Sequence, residues 1–92
     1  MSDAKDIKRA HQAHIKAHRS NLIPMWTVYS HPRDYPHGWV ARMHAVGLGG
    51  EIVRGPALYG LTLERVRAKL PPGLRRLSRD VNDEPHIVET WF

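Results

Sequence analysis

The amino-acid sequence predicts an α+β domain: a mainly antiparallel sheet of four or five strands, one core helix over about 62–70 on one face, and an N-terminal helical arm. Three observations carry that expectation. Trp39–Val46 (WVARMHAV) alternates strictly, with Trp39, Ala41, Met43 and Ala45 on one side and Val40, Arg42, His44 and Val46 on the other, which is the period of a strand. Thr62–Leu70 (TLERVRAKL) sets Leu63, Val66 and Leu70 at i, i+3 and i+7 behind a threonine suited to an N-cap. The runs MWTVY and HIVETWF are rich in aromatic and β-branched residues and lie beside Pro, Gly and Asp breakers.

Taken in order, residues 3–20 have helical composition, with alanines among Lys, Arg and Gln and no Gly or Pro, and Asp3 as N-cap. The apolar stripe of this arm is thin, so it is expected to order only against another surface. Pro24 disfavours helix at Ile23 and marks a break over Asn21–Pro24. Met25–Tyr29 is the first strand, Ser30–Gly38 (SHPRDYPHG) a breaker-rich connection, and Trp39–Val46 the second strand. After the Gly47–Gly50 turn, a third strand is expected around Glu51–Arg54, with Ala57–Tyr59 extending it. Pro71-Pro72-Gly73 stops the core helix, Leu74–Ser78 reads as a short strand, Arg79–Pro85 as a polar loop, and His86–Phe92 as the last strand. The composition shift at Pro24 divides the chain into a basic, His-rich arm over 1–24 and a single domain over 25–92.

Composition bounds the function. Ninety-two residues hold one modest core. With no cysteine there is no disulfide framework, thiolate metal site or cysteine nucleophile. No apolar run approaches the roughly 20 residues of a membrane span and no secretory signal is visible, so the expected location is cytoplasmic, with no membrane partner. The net charge of +5 is uneven: the first 22 residues carry +3 of it and three of the seven histidines. Such a balance suits an anionic partner.

The apolar residues outnumber what one helix covers. The first strand offers Trp26 and Val28 on one side, Met25 and Tyr29 on the other; the last offers Ile87 and Trp91, then Val88 and Phe92. A half-solvated antiparallel sheet alternates more cleanly. The second face is therefore expected to be covered by the arm, a second copy or a protein partner, with Trp26, Tyr29, Trp39, Trp91 and Phe92 as the interaction face.

Three other constellations carry chemistry. His11, His14 and His18 fall within about 60° of one helix face. They lack the carboxylate of a zincin motif and read as a polar arm, and neither metal nor cofactor is implied. In His31–His37, two histidines and Asp34 are the makings of acid–base catalysis, with Arg33 as anion holder, although turn chemistry accounts for the same residues. Arg42, Arg65, Lys69, Arg75, Arg76 and Arg79, together with the arm, would bind a phosphate backbone if they converge, yet no RNA- or DNA-binding signature accompanies them.

The segments MWTVYSHPRDYPHGWVAR (25–42), TLERVRAKLPPGL (62–74) and EPHIVETWF (84–92) resemble a family of small bacterial and phage proteins that begin at an MWTVY-like strand and carry no assigned activity. The resemblance spans about residues 25–92 and implies a start near Met25, with 1–24 as an added arm. It transfers no site residue. The functional expectation is a non-enzymatic interaction module that self-associates or binds a protein through a sheet face. The alternatives are an accessory nucleic-acid binder and, third, a small hydrolase or nuclease using the His31–His37 loop.

Overall fold

In the computed structural model, which describes residues 4–92, all of these elements form in the expected order. They are α1 (Ala4–Arg19), β1 (Ile23–Ser30), β2 (Trp39–Val46), β3 (Ile52–Gly60), α2 (Leu63–Ala68), β4 (Arg76–Ser78) and β5 (Ile87–Trp91). The expected N-cap, Asp3, lies outside the described residues. One five-stranded sheet runs β3-β2-β1-β5-β4 with every neighbouring pair antiparallel. The chain is thus α+β. β1, β2 and β3 form a meander, and the C-terminal hairpin β4–β5 adds to the free side of β1.

The alternation of β2 holds residue for residue. Ala41, Met43 and Ala45 are buried beneath the helices beside Trp26, Val28 and Leu58, which are also buried. Both helices pack on this one face: α1 against β3 and β1, α2 against β3 and β2. The arm is therefore not a cover for the second face. It completes the first, because α2 is only six residues long.

α1 enters the core through small residues. Ala10 and Ala17 are buried, and between them the buried His14 accepts a hydrogen bond at Nδ1 from Trp26 Nε1 at 3.0 Å. The helix ends in a Schellman motif: Leu22 N donates to Ala17 O at 2.9 Å, Asn21 N donates to His18 O at 3.1 Å, and Asn21 takes the left-handed φ of 60°. β1 then starts at Ile23, so the expected boundary at 24/25 falls inside a strand whose Pro24 pairs with Ala45. Proline is tolerated there because β5 stops opposite Trp26, leaving no ladder bond to lose on that side.

Two bulges depart from simple alternation. Gly55 and Pro56 together face Met43, since Arg42 pairs with Ala57 but His44 pairs with Arg54. In β5, Val88 is the extra residue between the Val28–Glu89 and Tyr29–Ile87 pairs. That slip breaks the expected sharing of one side by Ile87 and Trp91. Glu89 and Trp91 lie on the helix face opposite Val28 and Trp26, while Ile87 pairs with Tyr29 on the other side. Thr62 caps α2 by accepting from Arg65 N at 3.1 Å. Gly60 allows that helix to lie close, as a Cβ there would sit 2.8 Å from Val66 N.

Candidate functional site

The face opposite the helices is built from cross-strand rows. Ile23, Val46 and Ile52 form the first; Met25, His44 and Arg54 the second; Thr27, Arg42 and Ala57 the third; Tyr29, Val40 and Tyr59 the fourth. The rows differ in exposure because the β1–β2 connection folds over one end. Tyr35 of that connection packs its ring against Tyr59 at 5.1 Å between centroids, and Val40 beneath is fully buried. The loop closes through His31 N donating to Gly38 O at 2.8 Å, with His31 at a left-handed φ of 49°. The far end has no such cover. Ile23 is 54% exposed, Ile52 66%, and Leu48 in the adjoining turn 98%.

Arg42 in the middle of the face is held. Its guanidinium donates to Asp34 of the connection at 2.6 Å and lies over the Tyr29 ring at 5.4 Å from the centroid. The hydrogen bonds and charge of Arg42 keep the Asp34 carboxyl below its usual range. Arg33 and Arg54, by contrast, have no hydrogen-bond or carboxylate partner among the described residues. His44 lies between Met25 and Arg54, and burial lowers its pKa, favouring a neutral ring. Two clefts open onto this surface. One of about 470 Å³ is lined by His44, Ile52, Arg54 and Ala57, the other of about 440 Å³ by Pro32, Arg33, Glu84 and His86, and both reach Tyr29 and Arg42.

The other expected site residues scatter. Trp26 is buried beneath the helices, while Trp39 and Trp91 pack against the same core from its margins, so of the five expected interaction residues only Tyr29 lies on the open face proper. Phe92, 45% exposed, follows β5 and pairs its backbone with Arg75. The six expected cations do not converge. Arg42 lies on the open face, Arg65 and Lys69 on and after α2 on the other side, and Arg75, Arg76 and Arg79 along the β4 edge. Lys69 donates to Tyr59 O, and Arg79 to Asp83 O. Nor does the connection assemble an acid–base set: Asp34 serves Arg42, and His31 Nδ1 sits 2.8 Å from Ser30 Oγ with its ring against Trp39.

The arm histidines take structural partners. His11 Nε2 donates to Lys69 O at 2.9 Å, tying α1 to the end of α2, and His14 accepts from Trp26. Burial, then the charges of His18 and His11, lowers the His14 pKa.

Sequence reasoning missed Glu89. It is 1% exposed and receives Arg67 Nε at 2.8 Å, Arg67 Nη2 at 2.5 Å and Trp91 Nε1 at 2.6 Å, with Arg76 3.9 Å away. Burial alone would raise its pKa, but the bonds from Arg67 and Trp91 and the two positive charges outweigh burial, and the net shift is downward. Its hydrogen bond to Glu89 raises the pKa of Arg67 in turn. The sequence signal was that alternation sets Glu89 on the same side of the last strand as Trp91, but nothing local named its partner Arg67, 22 residues earlier. With both oxygens occupied by α2 and Trp91, Glu89 pins α2 to β5 rather than facing a ligand.

No family model, curated protein or solved structure matches this chain. None of the described helices is long and apolar enough to cross a membrane.

Proposed function

We propose that the protein is a non-catalytic interaction module whose open sheet face docks a protein partner with an apolar centre and an acidic rim. The observation that carries this reading is the exposed aliphatic row Ile23–Val46–Ile52 with Leu48, bordered by the unpartnered Arg54. An aliphatic centre beside free cations is the pattern of a docking surface whose charges select the partner. A second copy suits the face less well, because an isologous contact sets Arg54 and Arg33 of each copy against the same charges of the other. The nucleic-acid reading is disfavoured by Asp34, which occupies the one arginine stacked on an aromatic ring of this face.

A photo-crosslinking residue at position 52, with position 65 on the opposite side as control, tests the proposal in cells. The expected result is one discrete adduct from position 52 alone, lost in Ile23→Asp and in Arg54→Glu. An adduct of twice the chain mass would replace the heterologous partner with self-association. Identical adducts from both positions, or none, would remove the face as a docking surface.

A further inference from the structure

A groove of about 450 Å³ lies between α1 and the bulged half of β3, on the helix side of the sheet. Its origin is local. α1 meets the sheet through alanines, and Ala13 is too short to fill the space beside it. The Gly55–Pro56 bulge sets two β3 residues opposite Met43, and the bare Gly55 lets the Met43 side chain lie against the β3 backbone. Ala13, Leu22, Met43 and Val53 supply an apolar lining. The charged groups along the groove are Arg9 and Lys16 of α1 and, at the β3 edge it shares with the open-face cleft, Arg54; there is no carboxylate among them, and none of the three has an acidic partner among the described residues. An apolar concavity of this size with cations as its only charged groups is matched by a ligand with a hydrocarbon tail and an anionic head.

We propose that this groove binds one free aliphatic carboxylate of medium chain length, the tail over Met43 and Val53 and the head between Arg9 and Lys16. Charge complementarity selects a monoanion over a cation or a neutral lipid. The apolar lining selects a tail over a small polar acid. The proposal is separate from the open-face reading, since the groove lies between α1 and β3 on the helix side and its test changes only Arg9, Lys16 and Ala13, leaving Ile23, Ile52 and Arg54 untouched.

Calorimetric titration of the full chain with hexanoate, octanoate and decanoate, all below their micelle concentrations, provides the test, with amide chemical shifts as the map. Saturable one-to-one binding is expected, strengthening about fourfold per added methylene. The shifts should be confined to residues 9–22, 43–45 and 53–56. Decyltrimethylammonium, with a comparable tail and the opposite charge, should bind at least tenfold more weakly than decanoate. The exposed double variant Arg9→Gln/Lys16→Gln should weaken decanoate binding several-fold with an unchanged melting temperature, and Ala13→Phe should fill the groove. Equal binding of the cationic amphiphile, an affinity independent of tail length, or shifts spread over other surfaces would overturn the proposal. Binding to anionic phospholipid vesicles without binding of free decanoate would overturn it as well.

Discussion

On the helix side of the sheet Trp26, Val28, Ala41 and Leu58 are wholly out of water, whereas on the other side Met25, Tyr29, His44 and Val46 keep part of their surface exposed. Both sides draw on the same strands and on similarly apolar residues. They differ in what lies over them. Two helices span the first, while a folded connection caps only the Tyr29–Val40–Tyr59 end of the second. The covered side can therefore hold a carboxylate, Glu89, because α2 delivers a guanidinium to it. The open side holds its ion pair, Arg42–Asp34, in water, where such a pair adds little stability. Burial is thus concentrated on one face and exposed apolar surface on the other.

The largest break in that contrast is removal of α1. Deleting residues 1–22 uncovers Trp26 and neighbouring core residues, each large side chain worth roughly 1.5–3 kcal/mol, in a domain holding on the order of 5–15 kcal/mol in all. Loss of the cooperative melting transition is the expected outcome by calorimetry. A deletion that melts like the full chain would restore the division at residue 24 and make α1 dispensable.

Next in size is the buried charge. Arg67→Ala leaves Glu89 with Trp91 as its nearest donor and should cost about 2–3 kcal/mol in urea unfolding, somewhat below the usual range for a buried pair because Arg67 itself reaches solvent. By contrast, Asp34→Ala on the open side should change stability by less than about 1 kcal/mol.

His14 gives the covered face a pH response. Its folded pKa lies below the unfolded value, so the unfolded chain takes up protons first as pH falls. The His14 contribution is complete above about pH 6.5. It is lost as the pH drops from there through the lowered folded value, where a protonated Nδ1 can no longer accept from Trp26. His44 acts in the same direction through burial. Unfolding midpoints should therefore decline from pH 7.5 to pH 5, less steeply in His14→Phe, and a flat profile in the parent chain would contradict the assignment. The smallest effect is expected from Ile52→Asp, within about 0.5 kcal/mol by the same urea assay, since that residue is already largely in water.

Much of the architecture was legible from local pattern. The alternation of Trp39–Val46, the Thr62 cap with its i, i+3, i+7 stripe, and the β-rich run before the terminus are properties of neighbouring residues, so the fold class and element order follow from them. The candidate face was legible only in part. Tyr29 was identified, but Ile23 was assigned to a break because Pro24 usually ends regular structure, and only the early stop of β5 makes proline acceptable in β1. The aromatic residues that drew attention in the sequence are mostly core, because size predicts burial and not which side is covered.

By itself the sequence determined which segments are helix and strand and which residues of β2 share a side, because both depend on steric periods of 3.6 and two residues acting over short range. Tertiary structure decided that α1 joins α2 on one face, that the Gly55–Pro56 and Val88 bulges reset which side chains point inward, and that Glu89 is buried with Arg67, 22 residues earlier in the chain. Those outcomes rest on contacts between distant segments, where a single extra residue reverses a face and no local pattern records it.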